Sequence, residues 1–310
     1  MTAATMVSLE NLGHRFGAVT ALDGLSFDVG RGELFGVVGP DGAGKTTALR
    51  ILAGVLPPTT GDALVAGISV RRDPEGVKHG IAYMSQRFGL YGDLTVRENI
   101  HFYARLFQVP RRERDARMER LYAFSRLGTF ADRLAGKLSG GMKQKLSLCC
   151  ALIHQPEVLL LDEPTFGVDP ISRRDLWLIV HEMVAQGMTA IVSTAYLDEA
   201  ERCDRVALLQ GGKLAGLDTP AALQGRLAGR ALEFDTDNAR TAAQLLRAHP
   251  LVRSAAAFGE SLHVTTTEPG ADRALAQALE AGGMRVHAVR PLAPSLEDVF
   301  IDITSVSHAA

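Results

Sequence analysis

Apolar and polar positions alternate from the start of the chain. Val7-Ser-Leu-Glu-Asn-Leu12 reads as a strand of period two, and Leu25-Ser-Phe-Asp-Val29 repeats the pattern after the turn pair Asp23-Gly24. A turn over Gly30–Glu33 leads into Leu34–Val38, a short continuous apolar run that predicts a buried strand. Lys45–Leu52 carries helix formers and closes on Gly54 and Pro57-Pro58. From Leu94 to Leu134 the chain is charged, with a helical pattern. Apolar strands follow at Val158–Leu161, Ala190–Ser193 and Val206–Leu209, with a helix over Arg173–Met183 between the first two. Strands alternating with helices predict an α/β fold on a parallel sheet.

The pattern changes after about Leu227. It becomes strand Ala231–Phe234, helix Ala239–Ala248, paired strands Val252–Phe258 and Ser261–Thr266, helix Ala271–Glu280 and strand Arg285–Val289. That succession predicts a small α+β unit, ferredoxin-like in arrangement. The expected organisation is therefore a large domain over residues 5–227 and a small C-terminal domain over 228–305.

Composition changes this picture little. Of 310 residues 46% are hydrophobic and 22% charged, enough to bury a core, and the formal net charge of -2 gives no broad attraction to nucleic acid. Cys149, Cys150 and Cys203 show no metal spacing, which favours a reducing cytosol, and the adjacent Cys149 and Cys150 read as small buried hydrophobes inside an apolar run. The opening segment lacks the basic start and apolar stretch of a signal peptide. No apolar run approaches the roughly 20 residues that cross a bilayer, so a membrane role requires partner chains. The mixed-charge run Arg111–Arg117 reads as a solvated helix face rather than a docking surface.

Candidate chemistry begins at Gly39-Pro40-Asp41-Gly42-Ala43-Gly44-Lys45-Thr46-Thr47, which fits G-x-x-x-x-G-K-[ST]. The glycines let backbone N–H groups turn inward around phosphate oxygens. Lys45 reaches the β/γ-phosphates and Thr46 offers its hydroxyl to Mg²⁺. A helix N-terminus behind the loop adds a favourable dipole. Val158-Leu-Leu-Leu-Asp162-Glu163 supplies a carboxylate that can hold Mg²⁺ through water, and a second that can polarise an attacking water. Downstream of a phosphate loop this pair gains weight.

A third segment, Leu138-Ser139-Gly140-Gly141-Met142-Lys143-Gln144-Lys145-Leu146, resembles the signature motif of ABC-type ATPases, with Met142 where glutamine is commonest. The resemblance covers about residues 5–225. It implies a RecA-like core with an antiparallel β subdomain and a helical subdomain near 90–155. ATP and Mg²⁺ are the implied cofactors, with Ser139, Gly140 and Gly141 facing the ATP of an opposing subunit. It also implies that Phe16 stacks on adenine, where the other reading is a strand-core phenylalanine. By the same resemblance Gln86 touches Mg²⁺ and senses the membrane partner, contacted near Gln86–Tyr91. Asp169 is the interface aspartate, and it also suits a helix cap.

The family's switch histidine is missing. The family usually reads S-T-H-Y-L-D-E-A, and here Ser193-Thr194-Ala195-Tyr196-Leu197-Asp198-Glu199-Ala200 places Ala195 at that position. His181 lies on the preceding helix and is expected at the surface. A methyl group donates no hydrogen bond, so this chain is expected to bind ATP and turn it over weakly. Its signature motif would then serve a more active, different ATP-binding subunit in a heterodimer, favoured over a homodimer. Gln86-Arg-Phe-Gly-Leu-Tyr91, Ala135–Leu146 and Gly167–Trp177 resemble the first half of tandem ATP-binding subunits of ABC-2-type bacterial drug exporters, and Ser295–Ile301 resembles the C-terminal tail common in ABC-2-type ATPases. What this implies is an ABC-2-type permease as partner, a periplasmic adaptor protein beyond it, and a place on the cytoplasmic face of the bacterial inner membrane. A soluble ABC ATPase and a nucleotide-gated scaffold that never hydrolyses are the rival readings.

Overall fold

The structure, a computed structural model, describes residues 4–87 and 89–307. Phe88, within the segment expected to face the membrane partner, lies outside the described residues. The chain divides into two compact units, Met1–Glu199 with Cys203–Leu214, and Ala200–Arg202 with Ala215–Ala310.

In the first unit parallel strands run in the order Arg205–Gln210, Leu34–Val38, Thr189–Thr194, Val158–Asp162, Ile81–Met84. The neighbours from Arg205–Gln210 through Ile81–Met84 pair in parallel. Every residue of Leu34–Val38, Val158–Asp162 and Thr189–Thr194 is buried. Their continuous apolar runs follow from helices covering both faces of a parallel sheet. Because the three strands run side by side, their carboxyl ends bring the Gly39 loop, Asp162-Glu163 and the Ala195 segment together. A crevice beyond the carboxyl ends of parallel strands is where such sheets bind ligands.

A second sheet, antiparallel where its pairings are resolved, orders Val19–Gly30, Thr5–Phe16, Thr60–Val65 and Ile68–Ser69. The two long strands carry the early alternating pattern, and register shifts inside Thr5–Phe16 interrupt its period. The strands Thr60–Val65, Ile68–Ser69, Ile81–Met84 and Lys213–Asp218 add to those expected from the sequence.

The charged middle stretch forms helices Val96–Leu106 and Arg111–Ser125, followed by Gly140–Leu152. Thr95 and Glu98 close a capping box on the first. Arg111–Ser125 buries only Met118, Leu121 and Ser125, so its charge run is indeed mostly solvated. Cys149, Cys150 and Cys203 are buried, and burial pushes the Cys149 thiol up to about 11 and Cys203 to about 12, which leaves them unreactive. Among the described residues no helix is long and apolar enough to cross a membrane.

The second unit contains Ala231–Thr236, helix Ala239–Leu246, Val252–Phe258, Ser261–Thr266, helix Asp272–Ala281 and Val286–Pro291. Its antiparallel sheet places Ala231–Thr236 between Ser261–Thr266 and Val286–Pro291, with Val252–Phe258 on the far side of Ser261–Thr266. Phe234, Leu246, Leu262, Leu275 and Leu279 form its core. The closing helix Leu296–Ser307 is tied to that sheet by polar contacts: His263 Nδ1 donates to Asp298 at 2.9 Å, and Arg253 pairs with Asp302 at 2.9 Å.

Candidate nucleotide-binding site

The Leu34–Val38 strand delivers the chain into Gly39–Gly44, and helix Lys45–Leu52 leaves it directly. The turn depends on Gly44, whose φ is +101°. A Cβ there would stand 2.6 Å from the Ala21 carbonyl oxygen, so no other residue fits without moving backbone. Gly44 also caps the helix without a side chain, leaving the first-turn N–H groups free for an anion. Asp41, Gly42, Ala43, Gly44, Lys45, Thr46 and Thr47 line one open cleft of about 490 Å³ together with Gln86 and Glu163. Gly39 and Pro40 instead turn their carbonyls inward, onto the Lys45 ammonium at 2.8 and 3.1 Å.

Lys45 is 4% exposed and also pairs with Glu163 Oε1 at 3.0 Å. Gln86 Nε2 donates to the other oxygen of Glu163 at 2.8 Å. The residue is held in a strained backbone, since Glu163 has φ +47°. That left-handed conformation costs a side-chain-bearing residue about 1–2 kcal/mol. It persists because the Glu163 N–H donates to both the Ser193 hydroxyl (3.0 Å) and the Ser193 carbonyl (3.2 Å). The carboxylate is thereby turned toward the phosphate loop rather than along the strand.

Asp162 collects three hydroxyl donors. Thr46 Oγ1 (2.9 Å) and Ser193 Oγ (2.8 Å) bond Oδ1, and Tyr83 OH (3.1 Å) bonds Oδ2. Burial, with the Asp162 charge beside it, raises the Tyr83 phenol to about 12, so it stays a donor throughout the physiological range. Hydroxyl, carboxylate and amide oxygens at Thr46, Asp162 and Gln86 are hard donors of the kind Mg²⁺ takes. Among the described residues no cluster of three or more His, Cys, Asp and Glu side chains suits a metal ion.

Ala195 is exposed, one residue beyond Thr194, whose carbonyl accepts from the Gly39 N–H at 3.3 Å. The segment is pinned from behind by Glu199, which is 1% exposed. Glu199 accepts from Thr194 Oγ1 (3.0 Å) and Thr165 Oγ1 (2.8 Å) and lies 3.4 Å from Arg173 Nε. Arg173 in turn stacks on the Tyr196 ring, 4.7 Å from its centre. His181 is exposed on the helix Pro170–Ala185.

Ser139 caps the helix Gly140–Leu152, its hydroxyl accepting from Met142 N–H at 3.3 Å. Asp169 does the same for Pro170–Ala185, accepting from Ser172 N–H at 2.9 Å. That bond holds the Asp169 carboxyl below the usual range. The two helix starts abut, since a Cβ on Gly141 would overlap the Ser172 side chain, whereas Gly140 has room. Lys145 and Asp175, 2.6 Å apart, fasten the same helices one turn further on. Gly141→Ala should therefore lower stability by about 1–3 kcal/mol through overpacking, read as a shift in urea midpoint at constant m-value. An unchanged midpoint would show that the two helix starts separate freely.

Phe16 is half exposed at the end of its strand, packed edge-on to His14 with ring centres 4.4 Å apart. It is not a core residue, and it stands outside the cleft walls formed by the phosphate loop. Sequence reasoning left Tyr83, Ser193, Thr165 and Glu199 without roles. For Ser193 the available signal was its position at the carboxyl end of the expected strand Ala190–Ser193; Tyr83 sits on the strand Ile81–Met84, which the sequence pattern did not predict.

Comparison with known proteins agrees with this geometry. The family described as "ABC transporter" matches residues 22–166. The chain is 42% identical over 302 residues to the "Probable multidrug ABC transporter ATP-binding protein YbhF" of Escherichia coli (strain K12), a match covering 96% of this chain and 52% of that protein, so the chain spans about half its length. It is 36% identical to the "Nod factor export ATP-binding protein I" of Rhizobium sp. (strain N33), covering 96% of each. A solved structure titled "Structure of ATP binding subunit of ABC transporter" superposes with a TM-score of 0.66 at 29% identity, covering 72% of this chain and 93% of that one. Phosphate loop, carboxylate pair, signature helix and relatives converge, and the chain belongs to the ATP-binding proteins of the ABC transporter family.

Proposed function

We propose that this chain binds ATP with Mg²⁺ and couples its hydrolysis to export through a separate ABC-2-type permease at the cytoplasmic face of a bacterial inner membrane. One observation carries the proposal: Lys45, Thr46, Gln86 and Glu163 line a single cleft at the carboxyl ends of parallel strands, with the buried Asp162 bonded to Thr46 behind it. The export relatives support the direction of transport. Residues 5–227 form the ATP-binding domain on this reading, and 228–305 a small domain that strengthens assembly.

The triphosphate lies in the Gly39–Thr47 loop, with adenine on Phe16. Lys45 leaves Glu163 for the β/γ-phosphates, and Gln86 and Glu163 are then free to orient a water. Thr46 and Asp162 would hold Mg²⁺, which would supply neutralisation of the charge on the phosphate oxygens. A second subunit closes over the site with its own signature helix start, while Ser139, Gly140, Gly141 and Asp169 of this chain face the second subunit's nucleotide. Ala195 provides no donor, so the chain's own site turns over slowly and the preferred assembly is a heterodimer with a histidine-bearing subunit.

Steady-state ATPase of the pure chain at high concentration should be low and should rise on adding such a subunit. Robust turnover by the chain alone would refute the heterodimer reading, and ATP held without any product would favour the non-hydrolysing scaffold. Asp162→Asn should weaken Mg²⁺-dependent nucleotide binding about 10–100-fold, the usual cost of losing a group that holds metal through water. Titration of a fluorescent ATP analogue with and without Mg²⁺ measures it, and an equal loss in both conditions would remove Asp162 from the metal site.

A further inference from the structure

At the opposite end of the parallel strands from the phosphate loop lies a second cleft, of about 290 Å³. Its floor is apolar: Leu121, Leu152, Pro156 and Met183 are buried there, and Phe124 and Met188 are half buried. Its rim is cationic by one guanidinium: Arg31, Arg117 and Arg120 stand against Glu157, with Glu113 on Arg117. Arg31 pairs with Glu157 at 3.1 Å. Arg117 is engaged by Glu113 at 2.6 Å and by the Ile153 carbonyl at 3.1 Å. The Arg120 side chain makes no hydrogen bond or ion pair among the described residues, so one guanidinium with all its donors faces this opening.

We propose that this cleft binds a small anionic amphiphile, a carboxylate or phosphate head on a short hydrocarbon or aromatic body. The head is held by Arg120, and the body covers Leu121, Leu152 and Met183. The charge balance selects an anion, because the Arg31–Glu157 and Arg117–Glu113 pairs leave the Arg120 guanidinium as the excess charge at the rim, its donors open to a carboxylate or phosphate. The buried floor selects an apolar body, because a bare anion leaves that surface wet. Size selects a small molecule. The cleft sits at the lower end of the range for ligand sites, which accommodates one short chain and not the two chains of a bilayer lipid.

The site is placed to reach the nucleotide cleft through the sheet. Arg31, Glu157 and Met188 stand just before the strands Leu34–Val38, Val158–Asp162 and Thr189–Thr194. Those strands end at the phosphate loop, at Asp162-Glu163 and at Ala195. Their entry turns are already linked to one another: Gly32 N–H donates to Thr189 Oγ1 at 2.9 Å, and Thr189 N–H to the Glu157 carbonyl at 3.1 Å.

The test uses the full chain carrying ¹³C-methyl methionine, with resonances assigned by Met183→Leu and Met188→Leu. Octanoate, octyl phosphate, octanol, inorganic phosphate and phosphatidylglycerol vesicles are titrated separately. The expected result is a saturable shift of the Met183 and Met188 methyls with octanoate and octyl phosphate, while Met84 and Met284 stay fixed. Octanol and inorganic phosphate should each bind at least about tenfold more weakly, and Arg120→Ala should weaken octanoate about tenfold, the value of one charged hydrogen bond. Arg120→Lys should keep part of the affinity. Absence of a saturable shift, equal binding of octanol, or unchanged affinity in Arg120→Ala overturns the proposal. A shift with vesicles alone also overturns it and assigns the face to a lipid surface. The readout is binding at the methionines, so the outcome is independent of whether the chain hydrolyses ATP.

Discussion

Ala195→His should raise ATP turnover by this chain's own site by up to about 10²-fold, the lower end of what one preorganised donor contributes to a charged transition state. The position accepts the larger side chain, because Ala195 is exposed and nothing has to be displaced from a core. The segment is also rigid enough to hold it. Thr194 is bonded to Gly39 through its carbonyl and to Glu199 through its hydroxyl, so residue 195 follows directly from a backbone anchored on the phosphate loop. Glu163 must stay intact for the gain to appear, and the Ala195→His, Glu163→Gln double variant serves as the silent control. Phosphate release under saturating ATP is the measurement. Equal rates with and without the histidine would mean that Ala195 is not what limits this site, and the argument for an unlike partner would fall with it.

Lys45→Ala has the second large effect, and it has two separable parts. Loss of the charged donors to the triphosphate should weaken ATP binding by about 10- to 150-fold, from about 1.5–3 kcal/mol for hydrogen bonds to charged groups. The other part acts on the protein itself. Lys45 and Glu163 are both nearly excluded from solvent, so removing the ammonium leaves a buried carboxylate with Gln86 as its remaining side-chain donor. Breaking one side of a buried pair costs about 3–5 kcal/mol, whereas removing both charges costs far less. Adding Glu163→Gln to Lys45→Ala should therefore restore most of the lost stability while ATP binding stays weak. Urea unfolding gives the first quantity and analogue titration the second. If stability and affinity recover together, the pair is not an independent interaction.

The contrast between what the chain's letters disclose and what they hide follows distance along the backbone. The phosphate loop, the Asp162-Glu163 pair and the Ser139 helix start are contiguous segments whose chemistry lies in local spacing, and each is legible directly. Tyr83 and Ser193 reach Asp162 only because three strands lie side by side in a particular register, with Ser193 opposite Asp162 and Tyr83 opposite Leu160. No local pattern encodes that pairing. Glu199 is hidden for the same reason: a polar residue on a short helix ordinarily signals surface, and here two threonines and Arg173 from different segments make burial tolerable. The missed strands Thr60–Val65 and Ile68–Ser69 are short and half exposed, and Gly61 within the first weakens its pattern, so pairing of the first with Thr5–Phe16 and of the second with the first, rather than their own hydrophobicity, defines them. The helix expected from Arg173 begins at Pro170 because Asp169 caps it, a signal that was present in the text and that extends the helix by its first turn.

The abutment of Gly141 on Ser172 also limits how these two segments drift over generations. Position 141 already holds the smallest residue, so it has nothing left to give up. Any mutation that enlarges residue 172 must be absorbed by the backbones themselves, and no compensating change at its neighbour is available. Lineages descending from this sequence should therefore find position 172 closed to side chains bulkier than serine.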